Sequence, residues 1–502
     1  MSQPEPARPL RLTWAQPEDL VGHELRQAAE DGRDAEPWRR AWLAAGGRPA
    51  PERAGASTGA PAPGLRALAL RLLTELDALP SPLAAREPTT LSAITTACPH
   101  WPADGPGPSD TGQDHARHSE PDRRGRHGPD RRPGGRPGAG PRPAAGDPPR
   151  AAFVARLEAA WVGRAVGCVL GKPVEKLPLH AIRALAQAAG NWPLTSWFTE
   201  KGVPAELLAA YPWNRRSAPT SLAENIDGAP EDDDLNYPLL GLRLLQRHGK
   251  GFTTADVARV WLDELPAGRT FTAERVAYRN LLLGLEPPLT ATRHNPFREW
   301  IGALIRADVH GWTNPGDPAA AARQAYRDAR LTHTANGVYA AMFAAAALAR
   351  AAAGSGDVHD ALRAGLAVVP PRSRLAEAVR FGIDAACAHP DFDRVADLLH
   401  ARYGHLHWVH AVPNTALIAA ALTHADGDFG ASVCRAVSGG WDTDSNGATA
   451  GSLAGLLAGS VRALPAHWTA PLRNRLATTV AGFDGIGFDT LATLTAQEAA
   501  LQ

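Results

Sequence analysis

Apolar residues recur three or four positions apart over much of the chain, which is typical of helices with one buried face. An early example is a run of leucines at this spacing: Leu65, Leu68, Leu72, Leu76 and Leu79. Alternating runs of β-branched residues, which would indicate strands, are rare. The pattern therefore predicts an all-α protein.

Changes in composition divide the 502 residues into four parts. Residues 1–97 carry helical patterns and predict a small helical N-terminal region. Residues 98–150 are rich in Pro, Gly and Arg and contain few large apolar residues. They predict a disordered linker, because such a segment cannot bury enough surface to offset its ordering entropy. Residues 151–490 are rich in Ala and Leu and predict one large helical domain, and residues 491–502 a C-terminal tail.

Two predicted helices carry glycine at every fourth position: Gly163, Gly167 and Gly171 in the first, and Gly447, Gly451, Gly455 and Gly459 in the second. A glycine inside a helix costs about 1 kcal/mol relative to alanine, so a series of them requires a compensating gain. A glycine face allows another backbone to come close. We therefore predict that both helices lie at the centre of the domain, packed against neighbours or against each other.

The second glycine series lies in an apolar run, residues 447–464, that approaches the length of a membrane span. This run contains Arg462, four glycines and three hydroxyl residues, and it directly follows acidic residues. These features favour a buried central helix over a membrane helix.

Charge and cysteine content narrow the class of protein. The chain has 52 basic and 52 acidic residues, so its balance gives no support for non-specific binding to nucleic acid or membranes. Four scattered cysteines suggest neither a disulfide framework nor a cysteine-based zinc site. The first residues lack the apolar run of a signal peptide. A cytoplasmic location is expected.

Two acidic clusters more than 200 residues apart carry the main chemical signal. Their candidate ligands are Asp232, Asp233, Asp234, Asp442, Asp444 and Ser445. One or two acids would suffice to cap a helix, so this density indicates more than a solvated cap. Carboxylate and hydroxyl oxygens suit hard ions such as Mg²⁺, Mn²⁺ or Ca²⁺ rather than zinc. The sequence predicts that the clusters meet around one or two divalent ions.

Several segments together resemble the ADP-ribosylglycohydrolase family, in particular its longer bacterial branch: residues 163–175, 231–237, 295–308, 314–318, 333–337, 410–414 and 439–451. The resemblance implies a single orthogonal helical domain with two magnesium ions in a central cleft. It also implies Mg²⁺-dependent hydrolysis of the glycosidic bond of an ADP-ribose conjugate. The partner would be an ADP-ribosylated protein or a small-molecule ADP-ribose conjugate.

The resemblance assigns roles to particular residues. The six candidate ligands named above match the family's metal positions, with Asp232 where better-known members have Thr. Glu175 matches a glutamate linked to catalysis, and either it or Asp233 would transfer the proton. Asn336 and Gly337 match a loop that contacts ADP-ribose, and the helix start there would offer N–H groups to the pyrophosphate.

Two further residues are candidates for substrate binding because of their positions in the sequence. Trp441 adjoins the second acidic cluster and is a candidate for stacking on adenine, although core packing is the usual role of tryptophan. His410 belongs to a group of four histidines. It is expected to line the cleft or bond a carbonyl, and the spacing gives a zinc site little support.

Three departures from the family pattern bear on function. Cys168 stands where many members have Asp, Leu235 stands where Thr often follows the aspartates, and Asp232 adds a negative charge. Two alternatives to protein deADP-ribosylation therefore stay open. One is a catalytically weak module that binds ADP-ribose, and the other is a hydrolase of a small-molecule N-glycoside.

Overall fold

The structure of the protein, a computed structural model, describes residues 16–51, 54, 63–103 and 148–501. Over these residues the secondary structure is helical, and β-type pairing is limited to isolated bridges. The prediction of an all-α protein is confirmed. Most of the predicted linker lies outside the described residues.

The N-terminal region contributes four helices: α1 (Pro17–Glu30), α2 (Glu36–Ala44), α3 (Pro63–Asp77) and α4 (Leu91–Ala97). The leucine run forms α3, in which Leu72, Leu73 and Leu76 are almost fully buried. Its apolar face packs on α1.

The remaining α-helices in the described part of the chain are α5 (Pro148–Gly171), α6 (Leu179–Ala188), α7 (Ala205–Ala210), α8 (Ala218–Ser221), α9 (Asp233–His248), α10 (Thr254–Glu264), α11 (Thr272–Leu282), α12 (Leu289–Thr292), α13 (Asp308–Trp312), α14 (Pro318–Ala329), α15 (Ala335–Ala352), α16 (Val358–Ala367), α17 (Arg374–Ala388), α18 (Phe392–Tyr403), α19 (Ala411–His424), α20 (Phe429–Ser438), α21 (Thr443–Ala458), α22 (Ala466–Thr469) and α23 (Phe488–Ala500). Short 3-10 helices span Lys172–Val174, Ala267–Arg269, Ile301–Arg306, Val461–Ala463 and Ala470–Leu472.

The core of the large domain is built on the contact between α5 and α21, whose glycine faces meet. A methyl group on Gly167 would overlap the carbonyl of Gly447, and one on Gly163 would overlap the carbonyl of Gly451. The backbones are therefore closer than any side chain permits, which supplies the gain that offsets the cost of glycine in a helix. The predicted central packing of the two glycine series is confirmed.

The rest of the second series divides between two roles. Gly455 packs against the carbonyl of Ala159 in the same way, whereas Gly459 ends α21 in a left-handed conformation at φ +82°. The apolar run that approaches membrane length thus contains a buried helix, as predicted. No helix in the described residues has the length and apolar character needed to cross a membrane.

The C-terminal segment also packs on this core. Most of the segment interpreted as a tail, residues 491–502, belongs to α23, which contacts α5. The indole N–H of Trp161 donates to Thr495 Oγ1 at 3.0 Å. Leu491 and Ala492 are fully buried.

The N-terminal region is joined to the large domain by buried ion pairs. Arg298 donates to Glu24 at 2.9 Å and to Asp31 at 3.1 Å. Arg374, at the start of α17, donates to Glu87 at 2.7 Å. The side chains of these three acids are at most 6% exposed, so the pairs are shielded from water and salt.

Glu30, at the end of α1, lies in the same interface, and within the described residues no lysine or arginine forms an ion pair with it. Its side chain is 6% exposed, and its Oε1 has no hydrogen-bond partner among the described residues. Burial, together with the charge of Asp31, raises the pKa of Glu30 to about 7. The folded protein therefore holds a proton on Glu30 that the unfolded chain releases near pH 4.5.

This raised pKa predicts a pH-dependent effect of Glu30→Gln. The wild-type protein should lose stability relative to the variant as pH rises from 4.5 to 7, because only the unfolded state ionises in that window. The difference in free energy of unfolding should reach at most about 3 kcal/mol at pH 8 and be near zero at pH 4.5. Urea unfolding of both proteins at the two pH values measures it. A pH-independent difference would contradict the assignment.

The helix contact predicts that Gly167→Ala destabilises the protein by at least about 2 kcal/mol, since the added methyl forces α5 and α21 apart. Gly64→Ala is the matched control, because Gly64 is also helical and an added methyl there meets no atom within 4 Å. The control should be neutral or slightly stabilising. Equal thermal shifts for the two variants would count against the close contact as the source of stability.

Candidate metal centre

The first acidic cluster forms the start of α9. Asp232 is the N-cap residue, and its Oδ1 accepts a hydrogen bond from the N–H of Asp234 at 2.9 Å. Asp233 and Asp234 occupy the first turn. The positive end of the helix dipole favours negative charge at this position. Extended backbone at Asp232, followed by the helix, lets three successive side chains gather at one point.

The second cluster lies in the loop that leads into α21. The N–H of Asp442 donates to Asn414 Oδ1 at 3.1 Å, and Thr443 Oγ1 donates to the carbonyl of Gly171 at 2.7 Å. These bonds fix the loop to α19 and to the end of α5. Asp444 and Ser445 follow in the first turn of the helix.

The close contact of α5 and α21 brings the two clusters and Glu175 together. Carboxylate oxygens of Glu175, Asp442 and Asp444 all lie within 4.8 Å of one another. A second group within the same limit consists of Cys168 Sγ and oxygens of Asp232 and Asp234. Ser445, which follows Asp444 in the chain, links the second acidic cluster to the first, since its Oγ donates to Asp234 Oδ2 at 3.2 Å. The remote aspartates thus lie side by side.

Two lysines, which the sequence reading left out, reach these acids. Lys172 forms an ion pair with Asp232, and both side chains are at most 10% exposed. Lys176 is paired with Glu175 at 2.5 Å and is 38% exposed. Asn214 Nδ2 donates to the other oxygen of Glu175 at 2.7 Å, so this carboxylate is held from two sides.

Arg164 completes the set of cations. Its guanidinium pairs with Asp308 at 2.9 Å and lies 3.5 Å from Asp234. Its Nε also donates to the carbonyl of Asp234 at 2.7 Å. This fully buried arginine ties the first turn of α9 to the core.

The acidic side chains of the centre outnumber these three cations, and this excess of negative charge affects their pKa values. Burial and the neighbouring carboxylates raise the pKa values of Asp233, Asp234 and Asp442 well above the usual range. Burial, Glu175 and Asp232 raise the pKa of Asp444 to about 7. Burial acts in the same direction on Asp232, but the Lys172 charge overrides it and lowers that pKa. The centre without a further cation therefore retains protons.

This donor set fits a hard divalent cation. Converging oxygens from three carboxylates at Glu175, Asp442 and Asp444 are ligands that Mg²⁺, Mn²⁺ and Ca²⁺ accept. A dication there would replace the retained protons and relieve the repulsion between the acids. The described residues thus include acidic groups able to hold a metal ion.

The predicted ADP-ribose loop is packed against the N-terminal region. Asn336 is fully buried, and its Nδ2 donates to Glu87 and to Glu299, both at 2.9 Å. Its Oδ1 accepts from the N–H of Leu375 at 2.9 Å. Gly337 is also buried, and its N–H donates to Thr334. The contacts of Asn336 are therefore with the interface of the N-terminal region, and its binding role stays a prediction.

His410 lies in that same interface. It caps α19 by accepting from the N–H of Val412 at 3.1 Å, and its Nε2 is 3.9 Å from both Glu30 and Glu299. Burial, aided by Arg374, lowers the pKa of His410 to about 3, so its ring is neutral at physiological pH.

Trp441 does adjoin the second cluster. Its ring stacks on His400 with centroids 4.0 Å apart, and His400 Nε2 donates to the carbonyl of Gly439 at 2.8 Å. One face of the indole is thus covered by the protein. Trp441 has φ +57°, which places it in the left-handed region at the turn into Asp442.

Asn414 is a further residue that the sequence reading did not single out, although it ends one of the matching segments. Its Nδ2 donates to the carbonyls of Trp408 at 2.8 Å and His410 at 2.9 Å. Its Oδ1 accepts from the N–H of Asp442 and from Asn446 Nδ2 at 2.7 Å. The two donated bonds fix the Asn414 side chain, and the two accepted bonds hold the second acidic loop in place.

Fold and site together are those of an all-α enzyme with a carboxylate centre. The model of the ADP-ribosylglycohydrolase family matches residues 149–498, and the chain belongs to this family. It is therefore a glycosidase that acts on ADP-ribose conjugates.

Other comparisons add little. A solved structure described as "ADP-ribosylglycohydrolase-related protein complex" is 22% identical, and the match covers 70% of this chain and 99% of that one, with a TM-score of 0.44. No curated protein matches the chain.

The network around Asn414 predicts that Asn414→Ala loosens the second acidic loop. The free energy of unfolding should fall by about 2 to 4 kcal/mol, because buried partners lose their hydrogen bonds. Stabilisation by added Mg²⁺ should fall as well, since Asp442 is no longer fixed. Thermal unfolding with and without Mg²⁺ measures both effects. Asn225→Ala, at an exposed position, is the control, and a Mg²⁺ response equal to the control's would refute the positioning role.

Proposed function

We propose that this protein hydrolyses the bond between the anomeric carbon of ADP-ribose and a modified protein side chain or related acceptor, and that it requires Mg²⁺. The convergence of Glu175, Asp442 and Asp444 at the contact of α5 and α21 carries the proposal. Family membership supports the class of substrate. The hard-oxygen donor set supports the class of metal.

Glu175, Asp442 and Asp444 would hold the ion, with Asp233, Asp234 and Ser445 beside them. A bound divalent cation supplies Lewis acidity, which orients ribose hydroxyls and acidifies water.

The chain's own acids perform the remaining steps. Cleavage at the anomeric carbon develops positive charge on the ribose, and the buried carboxylates stabilise it. Asp233, whose pKa is raised by burial and by Asp232, is suited to hold a proton and exchange it with the attacking water or the leaving group. Glu175, oriented by Lys176 and Asn214, is the second candidate for this proton transfer.

The test is release of free ADP-ribose from arginine-linked, serine-linked and nucleic-acid-linked conjugates and from a small N-glycoside. The full-length protein should release ADP-ribose from at least one of them with Mg²⁺, and EDTA should abolish release. Asp444→Asn should lower the rate at least about 100-fold through loss of an ion ligand. Glu175→Gln should lower kcat by roughly 10²- to 10⁴-fold if this residue transfers the proton.

Asp263→Asn, a substitution of an exposed acid, is the matched control and should leave the rate unchanged. Tight binding of ADP-ribose without release from any conjugate would refute hydrolysis and favour a binding module. Release that survives EDTA and Asp444→Asn would refute the metal requirement.

A further inference from the structure

Lys172 is a buried cation at the edge of the metal centre. It begins the 3-10 helix that follows α5, and its side chain is 8% exposed. Its ammonium pairs with Asp232 and lies 3.4 Å from the carbonyl oxygen of Glu231. Separating such a pair would leave either charge uncompensated in a site of low dielectric constant. The ammonium is therefore strongly held where it is.

The donors around this lysine already have protein partners. One oxygen of Asp232 accepts the ammonium, and the other accepts the N–H of Asp234. The oxygens of Asp234 face Ser445 Oγ at 3.2 Å and Arg164 at 3.5 Å. The third member of the group, Cys168, offers sulfur, a soft donor that suits hard ions poorly.

The other group differs in the exposure of its cation. One carboxylate oxygen each of Glu175, Asp442 and Asp444 lies within 4.8 Å of the others, and Glu175 is also paired with Lys176 and Asn214. The side chain of Lys176, which pairs with Glu175, is 38% exposed, so its ammonium can turn toward water when an ion binds. An incoming ion there gains three carboxylates without stranding a buried charge.

We propose that this chain binds one divalent ion tightly, at Glu175, Asp442 and Asp444, and that the Lys172 ammonium takes the place of a second ion beside Asp232. The proposal rests on the metal-dependent function proposed above and specifies it. An ion at Asp232 must displace or repel the ammonium, so we expect it to bind at least about 100-fold more weakly than the first.

The experiment titrates the metal-free full-length protein with Mn²⁺ and follows bound metal by equilibrium dialysis and electron paramagnetic resonance. The wild type should bind one Mn²⁺ and give the spectrum of an isolated ion. Lys172→Met should bind a second ion at least about 100-fold more tightly than the wild type does, with the spectrum of an exchange-coupled pair. Lys172→Arg keeps the cation and should still bind one.

Two ions of comparable affinity in the wild type would overturn the proposal, and so would a single ion in a folded Lys172→Met variant. If Lys172→Met does not fold, the wild type and Lys172→Arg still test the proposal, because two tightly bound ions in either protein would refute it. Absence of Mn²⁺ binding to the wild type would overturn the metal requirement of the proposed function as well. Two ions in a protein that releases ADP-ribose would overturn only the role of Lys172.

Discussion

The backbone-to-backbone contact of α5 and α21 is the constraint on which the rest of the molecule depends. Glycine at Gly163, Gly167 and Gly171 removes every side chain from one face, and the partner helix does the same. The separation of the two axes is thus set by main-chain atoms, which cannot adopt alternative rotamers. Glu175 follows α5 after one short 3-10 helix, and Asp442 and Asp444 lie at the start of α21. The positions of these carboxylates are therefore fixed by the contact of the two helices. The carboxylates of the centre are thus positioned by a contact between two helix backbones that itself contains no reactive group.

The same contact brings carboxylates close together, and the cations of the chain offset their charge more fully on one side of the site than on the other. Burial concentrates carboxylates where their charges repel, and each one then competes for a limited supply of cations. The Asp232 side is neutralised from within the chain by a lysine that is itself buried. The Asp444 side is left with raised proton affinity, and the lysine that pairs with Glu175 there is partly exposed to water. Such an asymmetry separates a part of the site whose charge is offset within the chain from a part that keeps an excess of acidic groups.

Much of this arrangement could be predicted from the sequence, for physical reasons that differ between residues. The glycine contact could be predicted because the spacing of the glycines matches the helix repeat. The free-energy cost of glycine inside a helix also requires a compensating contact. The role of the aspartates could be predicted because so many carboxylates close together in the sequence are hard to explain as solvated surface. The pairing of Lys172 with Asp232 could not be predicted, since it joins residues 60 positions apart through tertiary packing alone. Asn336 was correctly placed at a helix start, yet which surface covers that start is decided by Glu87 from a separate part of the chain.

The ion pairs at the N-terminal interface determine how much of the chain is needed for folding. The match to the family begins at residue 149, which suggests a natural expression boundary just before α5. A protein cut there would lose Glu24, Asp31 and Glu87. Arg298 would lose both of these acidic partners, Glu24 and Asp31, whereas Arg374 would lose Glu87 and keep Glu299 at 2.7 Å. The surface that carries both arginines would then be exposed to solvent, although it is shaped to be covered. The packing surface of the large domain therefore extends to residues before the segment by which the family is recognised.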